Sequence, residues 1–317
     1  MKASVYQEYG STDVLRIEEV ARPEPGPGEV LVRVRATSVT TGDWRLRAAA
    51  FPGLMAVPGR LMFGVFRPRK PILGGDFAGE VVETGARVTR FAPGDRVFGF
   101  AGHGAHAEFL AISESGAIHA TPGEMTDEQA AALPFGGLAA LTFLADFAKL
   151  KPGERVLILG ASGGVGSYAV QIARAMGAEV TGVASAGNLE LIRSLGAHHV
   201  IDYGAQDPLR GARYDVVLDT VGVSDFRQVR RVLDRGGRFV PLNFGTREIW
   251  QSLRTSLVGR QKVVIGVNGD SAEGLARLIA YWQAGALRPV IDRVYPFAAI
   301  ADAHAHVETR HRKGAVV

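Results

Sequence analysis

Over residues 1–120, apolar and polar positions alternate in short runs broken by glycine and proline. Val30–Val34, Glu80–Glu83 and Arg96–Gly99 read as strands between turns. Pro23–Pro27 (PEPGP) reads as a turn or stiff connector. From about residue 127 the texture changes. Val156–Leu159, Glu179–Val183, His199–Asp202, Val216–Asp219, Arg238–Leu242 and Lys262–Val267 are compact strand candidates rich in β-branched residues. Alanine- and leucine-rich helices fit between most of them, at 164–177, 188–196 and 225–234. Strands alternating with helices predict an α/β fold with a doubly wound parallel sheet covered on both faces. A helix near 273–284 and a β/α tail follow. Residues 49–71 fit neither texture. They are apolar and basic, with Phe51, Leu54, Met55, Leu61, Met62, Phe63 and Phe66. A lid over a pocket and a packed surface helix both remain open.

Composition narrows this picture. A chain of 317 residues suggests two domains. The absence of cysteine removes disulfides, thiolate metal sites and cysteine nucleophiles. The net charge is +4, with modest basic clusters at Arg67–Lys70 and Arg310–Lys313. That charge suits an anionic cofactor and argues weakly for nucleic acid. The first residues, MKASVYQEYG, do not resemble a signal peptide. No stretch reaches the roughly 18 apolar residues that a membrane helix needs. A soluble, cytoplasmic protein with no membrane partner is the expectation.

The most informative chemistry lies at residues 155–178. The strand RVLIL runs into GASGGVG and then into SYAVQIARAMGA. Val165, Ala169, Ile172, Ala173 and Met176 fall on one helical face, which can pack on a sheet. Gly163 lets the backbone approach a pyrophosphate, and Gly166 lets helix and strand pack closely. Amide N–H groups at the helix start, with the positive end of the helix dipole, favour phosphate. The G-x-G-x-x-G register is imperfect, because Ala161 takes the first glycine position. Strand, turn, helix and second strand together nevertheless point to a dinucleotide. An NAD site commonly ends the second strand with an acid that bonds the ribose 2′-OH. Here Val183–Asn188 contains no acid. Ser185 and Asn188 are able to donate to a 2′-phosphate, so NADPH is favoured, although no Arg or Lys lies in the stretch. Tyr203 is either near that phosphate or an ordinary strand-end tyrosine.

Six segments extend the reading to almost the whole chain: GGDFAGEVVETG (74–85), RFAPGDRVFGF (90–100), AALPFGGLAALTFL (131–144), KPGERVLILGASGGVGSYAVQIAR (151–174), LIRSLGAHHVIDY (191–203) and DVVLDTVG (215–222). With these segments the chain resembles the zinc-independent branch of the medium-chain dehydrogenase/reductases, the quinone oxidoreductase (zeta-crystallin-like) and enone reductase group. The resemblance implies a GroES-like β-rich catalytic domain over 1–120 and 263–317. It implies a Rossmann domain over 121–262, with the cofactor in the cleft between them. Thr142 would face the nicotinamide end. Ser162, Gly163, Gly164 and Val165 would hold the pyrophosphate. Ser185, Asn188 and Tyr203 would surround the adenosine phosphate, and Val221, Gly222 and Asn243 would line the ribose and adenine side. A homodimer formed by pairing Rossmann edge strands is also implied, with KVVIGV (262–267) as the edge.

Zinc-dependent relatives need a cysteine and a histidine that this chain lacks. Its first catalytic loop reads Ser38-Val39-Thr40-Thr41-Gly42-Asp43-Trp44, and its second motif carries Asp76. No metal is therefore expected. His304 and His306 are two apart on a helix, and His103 and His106 lie in a glycine loop. All four read as solvated or packed. Many zinc-free relatives carry asparagine at Thr40, so Thr40 and Thr41 are the candidate catalytic hydroxyls. Asp43 reads as a turn-stabilising residue. The RKGAVV segment lacks the lysine often found after its glycine, which weakens the expected cofactor contact there. The resulting expectation is hydride transfer from NADPH to a quinone or an α,β-unsaturated carbonyl, a small-molecule acceptor. Zinc-free alcohol/carbonyl chemistry would lack its Lewis acid. A dinucleotide sensor or RNA-binding protein is the remaining alternative, against which the modest charge and missing aromatic-basic ladder argue.

Overall fold

The computed structural model describes residues 1–51 and 56–317, so the Leu54 and Met55 positions lie outside the described residues. Two sheets carry the architecture. The first is antiparallel and has five strands, in the spatial order Phe109–Ser113, Glu29–Ala36, Asp76–Thr84, Arg96–Phe100, Ala117–Ala120. Val30, Val32, Phe77, Val81, Val97 and Ile118 are buried together and form its core. The sheet is packed on its other face too, where Ala78, Phe98 and Ala117 join the large core shared with the Rossmann helices.

The second sheet has six parallel strands, in the order His199–Asp202, Glu179–Ala184, Arg155–Leu159, Tyr214–Asp219, Leu233–Pro241, Lys262–Val263. In chain order this is 3-2-1-4-5-6, the doubly wound Rossmann arrangement. The central strand shows why its sequence is apolar without a break. Val156 and Ile158 join one core cluster, and Leu157 and Leu159 join the other. Both faces are covered, so no position is left for a polar residue. The helix Gly166–Ala175 goes further than its periodicity predicted. Every residue from Gly166 to Ala173 is buried, because the helix also packs against the helix Pro134–Leu141.

Several boundaries differ from expectation. Only Lys262 and Val263 of KVVIGV join the ladder, followed by one more hydrogen bond from Val264 N–H to Phe239 O at 2.8 Å. That short edge strand straddles the expected domain boundary at 262/263. The helix expected over 225–234 shortens to Phe226–Val229, because the next strand already starts at Leu233. The helices Thr41–Ala48 and Thr246–Leu257 were not anticipated. In the 49–71 segment a helix runs over Ala56–Phe63, and Phe51 stacks on Phe63 at 5.6 Å. Leu61, Met62 and Phe66 stand exposed on it and beyond it. The chain then returns from the Rossmann sheet to the first lobe. The strands Ile291–Arg293 and Ala315–Val316 pair, and Val39 N–H donates to Val316 O at 2.9 Å.

Candidate functional site

The sheet order reverses between Arg155–Leu159 and Tyr214–Asp219, which lie side by side. Ligands of doubly wound sheets bind at the carboxyl ends of the strands at such a point. The glycine turn sits there. Gly160, at φ +77°, makes the left-handed step out of the strand, so the tight turn does not need a glycine at Ala161. A Cβ on Gly166 would lie 2.0 Å from Gly160 O, which accounts for the close helix–strand contact. A Cβ on Gly163 would meet nothing nearer than 3.4 Å. Among the described residues the N–H groups of Gly164, Val165 and Gly166 find no protein acceptor. They are donors left for an anion, as a dinucleotide requires.

The other expected cofactor residues gather around this turn in two groups. Asn188 Nδ2 donates to Ser162 Oγ at 3.1 Å, tying the second strand's end to the turn. Tyr203 N–H donates to Ala184 O at 3.2 Å, so Tyr203 stands beside Ser185. On the other side, Val221 crowds Gly160, and a Cβ on Gly222 would lie 2.9 Å from Asn243 Nδ2. Asp219, which the sequence reading passed over inside DVVLDTVG, orders that loop. Its carboxylate accepts from Val221 N–H at 3.0 Å, Gly222 N–H at 2.7 Å and Ser224 N–H at 3.0 Å. Thr142 starts a π-helical segment, Thr142–Phe147, of a kind frequent at functional sites. Among the described residues no hydrogen bond joins the side chain of Thr142 or Tyr203 to the rest of the site.

Across the cleft, the geometry separates the two candidate threonines. Thr40 is the N-cap of the helix Thr41–Ala48, in a capping box with Asp43. Its hydroxyl donates to Asp43 Oδ2 at 2.6 Å, and Gly74 N–H donates to Asp43 Oδ1 at 2.9 Å. Both groups are buried and their bonds are internal. Thr41 differs. Its oxygen accepts from Arg312 Nη2 at 2.9 Å, which leaves its own O–H free to donate. Arg45 also spans the cleft, donating to Asn243 Oδ1 at 2.7 Å. Neither arginine was singled out from the sequence, because each meets its partner far along the chain.

Asp76 is fully buried and is bonded to the Ser38 hydroxyl and, at 2.9 Å, to Phe135 N–H. Burial pushes its carboxyl well above the ordinary range, and Asp43 adds to the effect. The Ser38 hydroxyl and Phe135 N–H oppose it. The carboxylates near the first catalytic loop are therefore held by structural bonds rather than presented to a cation. Among the described residues no three His, Cys, Asp or Glu side chains converge to hold a metal ion. Two of the four histidines read as solvated or packed meet in the core. His106 and His304 are both fully buried, edge to face with centroids 5.4 Å apart. Burial pushes both imidazoles down, His304 to about 2 with His106 and Arg47 adding to it.

A parallel sheet in this order, with a glycine turn and unmatched N–H donors at its switch point, is the architecture of a dinucleotide-binding protein. The family description "alcohol dehydrogenase GroES-like domain" matches residues 26–123, and "zinc-binding dehydrogenase" matches residues 195–317. The chloroplastic quinone-oxidoreductase QR1 of Triphysaria versicolor is 32% identical, over 100% of this chain and 98% of that protein. The chloroplastic NADPH-dependent alkenal/one oxidoreductase of Arabidopsis thaliana is 32% identical, over 100% of this chain and 79% of that protein. The solved quinone oxidoreductase of Coxiella burnetii superposes with a TM-score of 0.88 at 29% identity, over 100% of this chain and 98% of that one. The chain belongs to the quinone oxidoreductase group of the medium-chain dehydrogenase/reductases.

Proposed function

We propose that this chain is an NADPH-preferring reductase that works without zinc and acts on a quinone or an α,β-unsaturated carbonyl. The observation that carries the cofactor choice is the carboxylate-free end of the second Rossmann strand. Ser185, Asn188 and Tyr203 surround that end with hydroxyl and amide groups and no acid to repel a 2′-phosphate. Asp202, the nearest acid along the neighbouring strand, is turned into its own loop, accepting from Gly204 N–H at 2.9 Å. When bound, the reduced nicotinamide supplies a hydride. The protein's part is to orient the acceptor and to meet negative charge developing on its oxygen. Thr41 suits that role, because the Arg312 N–H on its oxygen polarises the hydroxyl and leaves the proton available. Relatives named for quinone and for alkenal/one reduction support both acceptor classes.

Two copies pair along the Rossmann edge in this reading. Trp250, Leu253, Leu257 and Val258 are exposed beside the short edge strand and form an apolar face in need of cover. Light scattering on the purified protein should therefore give twice the chain mass. Activity is tested by following the loss of reduced-nicotinamide absorbance with a panel of quinones and enones. Protein that binds NADPH but oxidises it with none of them would sink the reductase reading. Tighter binding of NADH than of NADPH would sink the cofactor preference alone.

A further inference from the structure

We propose that Arg312 is the cation that faces the pyrophosphate of the bound dinucleotide, reaching it from the catalytic lobe. The proposal rests on the dinucleotide reading above and assigns a cation to the pyrophosphate rather than to the adenosine 2′-phosphate. Three observations place Arg312 on the glycine turn. A Cβ built on Gly164 would lie 3.2 Å from Arg312 Nη2 and 3.6 Å from its Nε. Gly314 N–H donates to Ser162 O at 2.9 Å, so the backbone of this segment is itself docked on the turn. Gly314 is at φ +81°, and a Cβ there would lie 2.1 Å from Val290 O. That backbone is thus committed to the path that sets Arg312 over Gly164.

The guanidinium is under-matched where it stands. Its Nη2 bonds the neutral hydroxyl of Thr41, and its Nη1 is sealed from solvent with no hydrogen-bond partner. Among the described residues no carboxylate forms an ion pair with it. Asp43 and Asp292 act on its charge only through space. Burial pulls it down to about 10 from a group that ordinarily stays charged far above neutrality. The residue as a whole is half-buried, but a guanidinium nitrogen sealed from water without an anion is costly. Beside it are the unmatched N–H groups of Gly164 and Val165, which call for the same partner. A pyrophosphate satisfies both, and planar guanidinium forks favour such oxyanions.

The neighbouring arginines have other tasks. Arg45 is bonded to Asn243, and Arg310 lies over the Trp44 ring at 4.9 Å. Arg312 lies over Gly164 of the turn, and among the described residues no hydrogen bond joins it to Ser185, Asn188 or Tyr203, the groups at the adenosine 2′-phosphate end. Its contribution is therefore common to NADPH and NADH and leaves their ratio unchanged.

The test measures binding, not turnover. Wild-type protein, Arg312→Gln and Arg312→Lys are titrated with NADPH, NADH and ADP-ribose by calorimetry, after circular dichroism has shown each variant folded. A charge-assisted contact of this kind is worth about tenfold or more in affinity. Arg312→Gln should weaken all three ligands about tenfold or more and by the same factor. Arg312→Lys, which keeps the charge, should recover most of the loss, and it carries the test alone if the glutamine variant does not fold. Adenosine 2′-phosphate, which has no pyrophosphate, should bind wild type and variants alike. Unchanged ADP-ribose affinity in Arg312→Gln overturns the proposal. So does a loss confined to NADPH, or an equal loss in the lysine and glutamine variants. Failure of the wild-type protein to bind any dinucleotide would instead overturn the reading on which the proposal rests.

Discussion

The two walls of the cleft are built by different means. The Rossmann wall presents backbone: glycines at 160, 163, 164 and 166, free N–H groups and a helix start, all within one short run of sequence. The catalytic wall presents side chains gathered from afar. Arg312 and Thr41 are 271 residues apart, and Arg45 and Asn243 are 198 apart. The first wall depends on room between backbones and contains no titratable group in the turn. The second depends on capping bonds, buried charges and an imidazole pair.

That contrast is open to attack from both sides. The largest effect should come from filling the Rossmann wall. Gly166→Val puts carbon where Gly160 O already sits, 2.0 Å away, and should cost about 3 kcal/mol or more. Urea denaturation together with ADP-ribose titration checks this, and native values for both would mean the turn has slack. Next, Asp43→Ala breaks the capping box at the start of the helix Thr41–Ala48 and strands the N–H groups of Thr40 and Gly74. It should cost about 2–3 kcal/mol, with turnover falling because Thr41 loses its seat. A stability loss under about 0.5 kcal/mol would show that the Asp43 half of the capping box is ornamental.

Acid should then act on the catalytic wall through His304. Its folded state is held neutral, so the unfolded chain binds the extra proton as pH falls below about 6.5. Stability present near neutrality should be lost by about 1.4 kcal/mol per pH unit over that acid limb. Arg47 and His106 lie near His304 and add to the cost of a charge there, while Asp43 favours protonation of His106. Melting curves from neutral to mildly acid pH, on wild type and His304→Leu, test the sign. The variant should show the flatter limb, and identical slopes would exonerate His304. The smallest effect should come from Ser185→Asp, which restores an acid to the second strand's end. NADPH affinity should fall about tenfold, with NADH nearly unchanged. Equal losses for both cofactors would place Ser185 away from the 2′ position.

This difference between the walls also explains what could be read from sequence. The parallel sheet was legible because strands covered on both faces leave unbroken apolar runs, as in Val156–Leu159. The glycine turn was legible because its function lies in consecutive residues. Its working detail was not: Gly160, rather than a glycine at 161, carries the positive φ. The edge was over-read, since KVVIGV has the composition of a strand but pairs with a neighbour over only Lys262 and Val263. Helix Thr41–Ala48 escaped notice because its pattern is weakly amphipathic and its signal is a capping box, Thr40 with Asp43. Arg312 lay in plain view within a basic cluster, but no local spacing announces a partner so far back in the chain.

The hydrogen bond between Arg312 and Thr41 has a consequence in time. At about 5–20 residues per second on the ribosome, the 271 residues between the two take on the order of 15–55 s to make. In the later part of that interval, once residue 166 has been made, the glycine turn exists with neither its docked tail nor its guanidinium. A nascent molecule therefore has the dinucleotide fingerprint before it has a finished cleft. Cofactor captured from the cell would stabilise the completed chain over every shorter one, and so act as a seal on synthesis as well as a reagent.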